Sequence, residues 1–273
     1  MAETSAAHPG PAGATVPSGN TGSTTGKAPN LDPTPSTTVP PTSADSHAIV
    51  TAVNLSGDLL QQVPVTFGEP FRAGDIPKGN TIVAYMGGTA LPTQADIKAR
   101  NSDGSVRHAI VTVELPSLAG HASAPLHLQG VAESTRKGQA LTLEDVLQSG
   151  FNAAIELNVD GQPWHLDAHY LLQHASLSRA CESYARECSQ WLSGPLASEW
   201  IVGGPVIDAR GKPNPHIAVY FAVRAYGPAP VSRVRVDVIV ENDWAYAPDP
   251  HNLTYDAKVS VNGQPAYTIE HLE

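Results

Sequence analysis

Three groups of residues have types and spacings that could do chemistry. The first lies in "QADIKARNSDGSVRHAIVTVEL" (Gln94 to Leu115), where Asp103, Ser105 and His108 fall close together. Ser, His and Asp are the parts of an acyl-transfer triad. Such a site needs its nucleophile on a strained elbow and a base within about 3 Å. No G-x-S-x-G elbow is present. Asp-Gly followed by Ser is instead the composition of a tight hairpin turn, with Gly104 at positive φ and Asp103 bonding nearby backbone. His108 would stand on the outgoing strand, opposite the face of Ala109, Val111 and Val113. The expectation is a turn.

The second group is "ENDWAYAPDPHNLTYD", Glu241 to Asp256. It sets Glu241, Asp243, Asp249 and Asp256 beside Trp244, Tyr246 and Tyr255 at a strand end. Saccharide sites use this mixture, aromatic faces against C–H surfaces and acids against hydroxyls. The opposing reading is a set of loop-closing aromatics with solvated acids. A glycosidase needs two carboxyls at a defined separation, which spacing along a chain does not supply. The D-x-D-x-D-G calcium pattern is absent. Asn252 opens a formal N-x-T sequon, which carries no weight without a secretory context.

The third group is basic: Lys98, Arg100 and Arg107 around the hairpin, and Arg233 with Arg235 on a late strand. Such cations could neutralise a uronate carboxylate while a base abstracts the α-proton. They could equally pair with Asp96 or Asp237 across a sheet. The candidate carbohydrate-binding set is therefore Glu241, Asp243, Trp244, Tyr246, Tyr255, Arg233 and Arg235. No catalytic residue, metal site or cofactor is assigned.

The elements that must position these residues are mostly strands. "HAIVTAVNLSG", "VPVTFGEPFRAGDIP", "NTIVAYMGGTALP" and "APLHLQGVA" are short β-rich runs closed by Gly, Pro and Asn. In "HIAVYFAVRAY", Ile217, Val219, Phe221 and Val223 alternate with His216, Tyr220 and Arg224. In "VSRVRVDVIVEN", Val234, Val236, Val238 and Val240 alternate with Arg233, Arg235 and Asp237. Asp160-Gly161 and Asn262-Gly263 predict two-residue hairpins. One short helix is signalled in "ALTLEDVLQSGF": Thr142 as N-cap, Glu144 and Asp145 in the first turn, and Leu143, Val146 and Leu147 as its apolar face. Gly150 is its stop. "HYLLQHASLSRACESYAREC" reads equally as helix or as loop plus hairpin.

Residues 1–46 are a Pro/Gly/Ser/Thr-rich arm or linker with too few apolar side chains to offset the entropy of ordering. Cys181 and Cys188 are the only cysteines. On one helix they would stand about 10 Å apart, too far to bond. Across a hairpin they could form a disulfide, and the alternative is two buried thiols. The formal net charge of −10 argues against nucleic acid and anionic membranes, which need clustered cations. No apolar run approaches the roughly 20 residues of a spanning helix. The first residues have neither the basic nor the apolar region of a secretory signal.

Together, "VPVTFGEPFRAGDIP", "LPTQADIKARNSDGSVRHAIVTVELPSLAG" and "VRVDVIVENDWAYAPDPHNLTYDAKVSVNGQPAY" resemble the N-terminal part of the exo-rhamnogalacturonan lyase family and its bacterial and phage-encoded relatives. The resemblance spans most of Ile49 to Glu273. It implies a small RIFT-type β-barrel over 47–130, then a β-sandwich-like domain over 131–273. In that family a large helical domain follows, to which the resemblance does not extend. No catalytic residue of the family maps onto a position here.

The expected fold is all-β, with one short helix and an extended arm. The expected function is a non-catalytic carbohydrate-recognition or scaffold module in a phage particle or other extracellular assembly. A purely structural virion or tail protein and a polysaccharide lyase or glycoside hydrolase are the alternatives. The expected partners are a polysaccharide, or assembly subunits reached through the arm, with homo-oligomerisation open.

Overall fold

The computed structural model describes residues 46–132, 138–178, 188–242 and 252–272, the side chains of 176–178 excepted. All of them belong to one compact unit spanning 40–273. The fold is all-β, and strands form two lobes, each with its own hydrophobic core.

The first lobe runs through β1 (Ala48–Val53), β2 (Leu60–Pro70), β3 (Asn80–Met86), β4 (Thr89–Ala90), β5 (Thr93–Arg100), β6 (Val106–Leu118) and β7 (Ser123–Ala132). One sheet has the order β1-β7-β3-β4 and the other β2-β6-β5, and every pairing is antiparallel. The sheets enclose Ile76, Ile82, Val106, Val111, Val113, Leu115, Leu126 and Leu128, all essentially removed from water. Each such side chain contributes about 1.5–3 kcal/mol of burial free energy.

The second lobe holds α1 (Leu143–Gln148), β8 (Ala153–Val159), β9 (Gln162–Asp167), α2 (Ala168–Ser178), β10 (Cys188–Ser193), β11 (Ala197–Ile207), β12 (Pro213–Tyr226), β13 (Arg233–Asn242), β14 (Tyr255–Val261) and β15 (Gln264–Leu272). Its strands join in the order β13-β12-β11-β9-β8-β14-β15, with β10 also on β11. Among the described residues the two halves of this sheet meet only at the bridge Ile207–His165. They fold over a single core in which Ile155 and Leu157 of β8 join Trp200 of β11 and Val219, Phe221 and Val223 of β12. That shared core makes the lobe sandwich-like.

Local chemistry explains the boundaries. Thr142 Oγ1 accepts from the Asp145 amide, while the Asp145 carboxylate accepts from the Thr142 amide at 2.7 Å. Thr142 is the N-cap the sequence predicts, here closed as a capping box with Asp145, and Val146 is buried beneath it. The hairpins at Asp160-Gly161 and Asn262-Gly263 have positive φ at both residues, as a type I′ turn demands. The alternating valines of β13 pack on the core as expected.

Two features differ from the sequence reading. In "SEWIVGGPVI" the Gly203-Gly204 pair predicts a strand ending in a turn, but the chain runs on through both glycines as one continuous strand. The ambiguous stretch after Ala168 begins as a second helix. Asp167 starts it, its carboxylate accepting from the Tyr170 amide at 2.7 Å and from Asn152 Nδ2 at 2.5 Å. Leu172 then buries against the core.

Candidate functional site

The Asp103–Ser105–His108 group is a turn. Ser105 Oγ donates to Asp103 Oδ1 at 2.6 Å, and the Ser105 amide donates to the same oxygen at 2.9 Å. The hydroxyl oxygen also accepts from the Gly74 amide and from Asn101 Nδ2. Gly104 has φ +84°. Ser105 is buried, its hydroxyl hydrogen-bonded to the Asp103 carboxylate, and no histidine stands beside it to act as a general base. The Ser105 hydroxyl and amide hold the Asp103 carboxyl below the usual carboxylate range. His108 lies elsewhere, across β2 by Gly68 and Glu69.

All of the candidate basic residues but Arg107 are spent on structure. Arg100 donates to the Gly104 carbonyl at 2.9 Å. Arg235 pairs with Asp237 at 3.1 Å on the same strand. Arg233 donates to the Gln62 carbonyl of the first lobe at 2.9 Å. Arg107 is exposed.

Of the candidate carbohydrate set, the fold brings Glu241 and Tyr255 together. A pocket of about 160 Å³ lies where the end of β13 meets the start of β14, lined by Ile217, Val240, Glu241, Asn242, Asn252, Leu253 and Tyr255. Ile217, Val240 and Leu253 make its apolar part, and the carboxylate, two amides and phenol make its polar part. Burial raises the Tyr255 phenol's pKa, so it stays a neutral donor at ordinary pH. Arg233 and Arg235 do not join this pocket. Eight residues of extended strand separate Arg233 from Glu241, about 27 Å at about 3.4 Å per residue. Asp243, Trp244, Tyr246 and Asp249 lie outside the described residues, as does Cys181 of the Cys181/Cys188 pair. Cys188 itself is buried at the start of β10.

Sequence reasoning missed a polar cluster at the junction of the lobes. Gln94, Asp96 and Lys98 of β5 all reach the second lobe. Gln94 Oε1 accepts from the amides of Leu196 and Ala197, both at 2.9 Å, and its Nε2 donates to the Ala197 carbonyl at 2.8 Å and to Asp96 at 2.7 Å. Asp96 accepts from the Ser193 amide at 3.0 Å. Lys98 donates to the Trp191 carbonyl and stands 4.1 Å from the centre of the Trp191 ring. A Cβ on Gly194 would lie 2.3 Å from the Gln94 side chain, so this close approach requires glycine.

Behind this clamp Glu199, 3% exposed, bonds Arg224 at 2.5 Å, and Arg224 reaches the Tyr226 hydroxyl at 3.5 Å. Burial opposes the Arg224 charge. Glu199 and Tyr226 more than offset that and raise its pKa. Burial lowers the pKa of Lys98, against the smaller opposite pull of Asp96 and Glu199. Ile110, Trp191, Leu192, Ala197 and Tyr226 add an apolar patch to the same junction. The available signal was the period-2 spacing of Gln94, Asp96 and Lys98, three polar groups on one strand face.

Among the described residues no three His, Cys, Asp or Glu side chains lie close enough to hold a metal. No described helix is long and apolar enough to cross a membrane. No family model matches the chain, and no curated protein matches it.

Proposed function

We propose that the protein is a non-catalytic carbohydrate-recognition module, with the pocket between β13 and β14 as its sugar site. The observation that carries this reading is the pocket's composition: Glu241, Asn242, Asn252 and Tyr255 around Ile217, Val240 and Leu253. Acids, amides and a phenol exchange hydrogen bonds with sugar hydroxyls, and the apolar part takes the C–H face of a ring. At about 160 Å³ the pocket suits one sugar residue, well below the roughly 300–1,000 Å³ of a drug-sized site. The resemblance to the front end of rhamnogalacturonan lyases supports the same ligand class, and a phage particle or other extracellular assembly is the setting proposed with it. Lys98, Arg100 and Arg233 are committed to backbone carbonyls and Arg235 to Asp237, which favours binding over lyase chemistry.

A glycan array followed by calorimetric titration tests this. Binding of one oligosaccharide class is expected, weakened about tenfold by Glu241→Gln or Tyr255→Phe, the loss of one good hydrogen bond. An acidic polysaccharide incubated with the protein should release no unsaturated sugar absorbing in the ultraviolet. A blank array overturns the binding reading, and ultraviolet-absorbing product replaces it with a lyase.

A further inference from the structure

We propose that β1 is a self-association strand, and that two copies of the chain pair antiparallel through it about a twofold axis at Thr51. A free sheet edge is a template for another strand, and soluble proteins blunt such edges with charge, proline, bulges, shortness or cover. The described edges other than β1 carry such a device. β2 has Pro64, Glu69 and Pro70, and β4 is two residues long. β5 carries Asp96, Lys98 and Arg100 and is covered by the second lobe. β10 has a register shift, and Ser193 and Trp191 on it are held by β5. β13 carries Arg233, Arg235, Asp237 and Glu241, and β15 has Pro265, Glu270 and register shifts. The six residues of β1, AIVTAV, have neither charge nor proline, and their pairing with β7 is regular.

The free edge is aimed correctly. Thr51 lies opposite Pro125, which has no N–H to exchange. The exchanging pairs with β7 are therefore those of Ala48, Val50 and Ala52. The amide of Asn54 donates to the Ala122 carbonyl in the same phase. Ile49, Thr51 and Val53 thus direct their backbone groups to the unpaired side, where no other described strand pairs with them.

The strand is also self-complementary. Antiparallel pairing about Thr51 sets Thr51 on its own copy, Ile49 on the copy's Val53, and Val50 on the copy's Ala52. All three outward side chains are β-branched, and threonine faces threonine at the centre, a favourable cross-strand pair. About six new backbone hydrogen bonds follow from three exchanging pairs. Apolar surface is waiting to be covered: Ile49 and Val53 are each 56% exposed, Leu55 83% and Leu59 59%. The loop carrying Leu55 and Leu59 is held by buried Asn54, whose Nδ2 donates to the carbonyls of Asp58, Leu118 and Ala119. Beside β1 an apolar groove of about 200 Å³, lined by Val50, Val53, Leu60, Val63, Val65, Leu115, Leu118 and Leu126, separates it from β2. The incoming strand's inward side chains would enter it.

Sedimentation equilibrium of the full chain over a concentration series, with hydrogen exchange read at β1, tests the proposal. A monomer–dimer equilibrium is expected, with the amides of Ile49, Thr51 and Val53 protected in proportion to dimer. Thr51→Pro removes the central edge N–H without removing a bond to β7. It should weaken the dimer about tenfold or more, as should the milder Val53→Lys, which adds a charge at the edge. A chain that stays monomeric overturns the proposal. So does a dimer indifferent to both variants. Concentration-independent protection of the three amides also overturns it, because another part of the same chain would then cover the edge.

Discussion

The lobe junction and the β13–β14 pocket are built from similar residues and differ in what surrounds them. Both combine carboxylates, amides and an aromatic ring. At the junction every polar atom of Gln94, Asp96 and Glu199 that bonds does so to protein, and the groups are buried or nearly so. At the pocket Glu241 is exposed and Tyr255 half-buried beside an open cavity. Polar groups satisfied internally hold a geometry. Polar groups facing a cavity can exchange water for a ligand. The same side-chain inventory is therefore scaffold at the junction and, on the proposed function, recognition at the pocket.

The comparison breaks first if the junction proves dispensable. Glu199→Ala strands the Arg224 guanidinium in a mostly buried site and should destabilise the fold by about 3–5 kcal/mol, read by chemical denaturation, with sugar binding by the folded fraction unchanged. Gln94→Leu leaves the amides of Leu196 and Ala197 without their acceptor and should cost about 2–3 kcal/mol. Gly194→Ala drives a methyl into Gln94, and overpacking of this kind costs about 1–3 kcal/mol. Glu241→Gln, by contrast, should leave the midpoint of unfolding within about 0.5 kcal/mol while weakening sugar binding. If Glu241→Gln destabilised the fold as much as Glu199→Ala, the pocket would be scaffold too.

A smaller effect sharpens the turn assignment. The Asp103 pKa is depressed in the fold by Ser105, so its contribution is present above the unfolded carboxylate pKa of about 3.9. It is lost as pH falls through the lower folded value. An acid titration should show a slightly steeper loss of stability below about pH 4 than in Asp103→Asn. A protein with no difference there would have its turn held by Gly104 and the bonds of Arg100 and Asn101 rather than by the Asp103 carboxylate.

Much of the fold could be read locally. The Thr142–Asp145 box, Gly104, the Asp-Gly and Asn-Gly hairpins and the alternating valines of β13 depend on neighbours within a few residues. What could not be read joins residues far apart in the chain. Gln94 meets Ala197 across 103 positions, and no local pattern announces that partner. The α2 helix was ambiguous because its start rests on Asp167 and Asn152 and its burial on a core assembled from β8 through β12. At the candidate site, Glu241 and Tyr255 converge because β13 and β14 end together there. Arg233 and Arg235 looked close in sequence, but an extended strand turns a short spacing into a long distance.

The seam in the large sheet has a mechanical consequence. Among the described residues its halves share a core but are stitched by one bridge, Ile207 to His165. A pull across the strands loads the ladders of β11–β12–β13 and of β8–β14–β15 in series with that single stitch. The stitch is expected to give way first, leaving each half an intact panel held to the other by the shared core. Side-chain packing, rather than backbone bonding, sets the force at which the lobe opens.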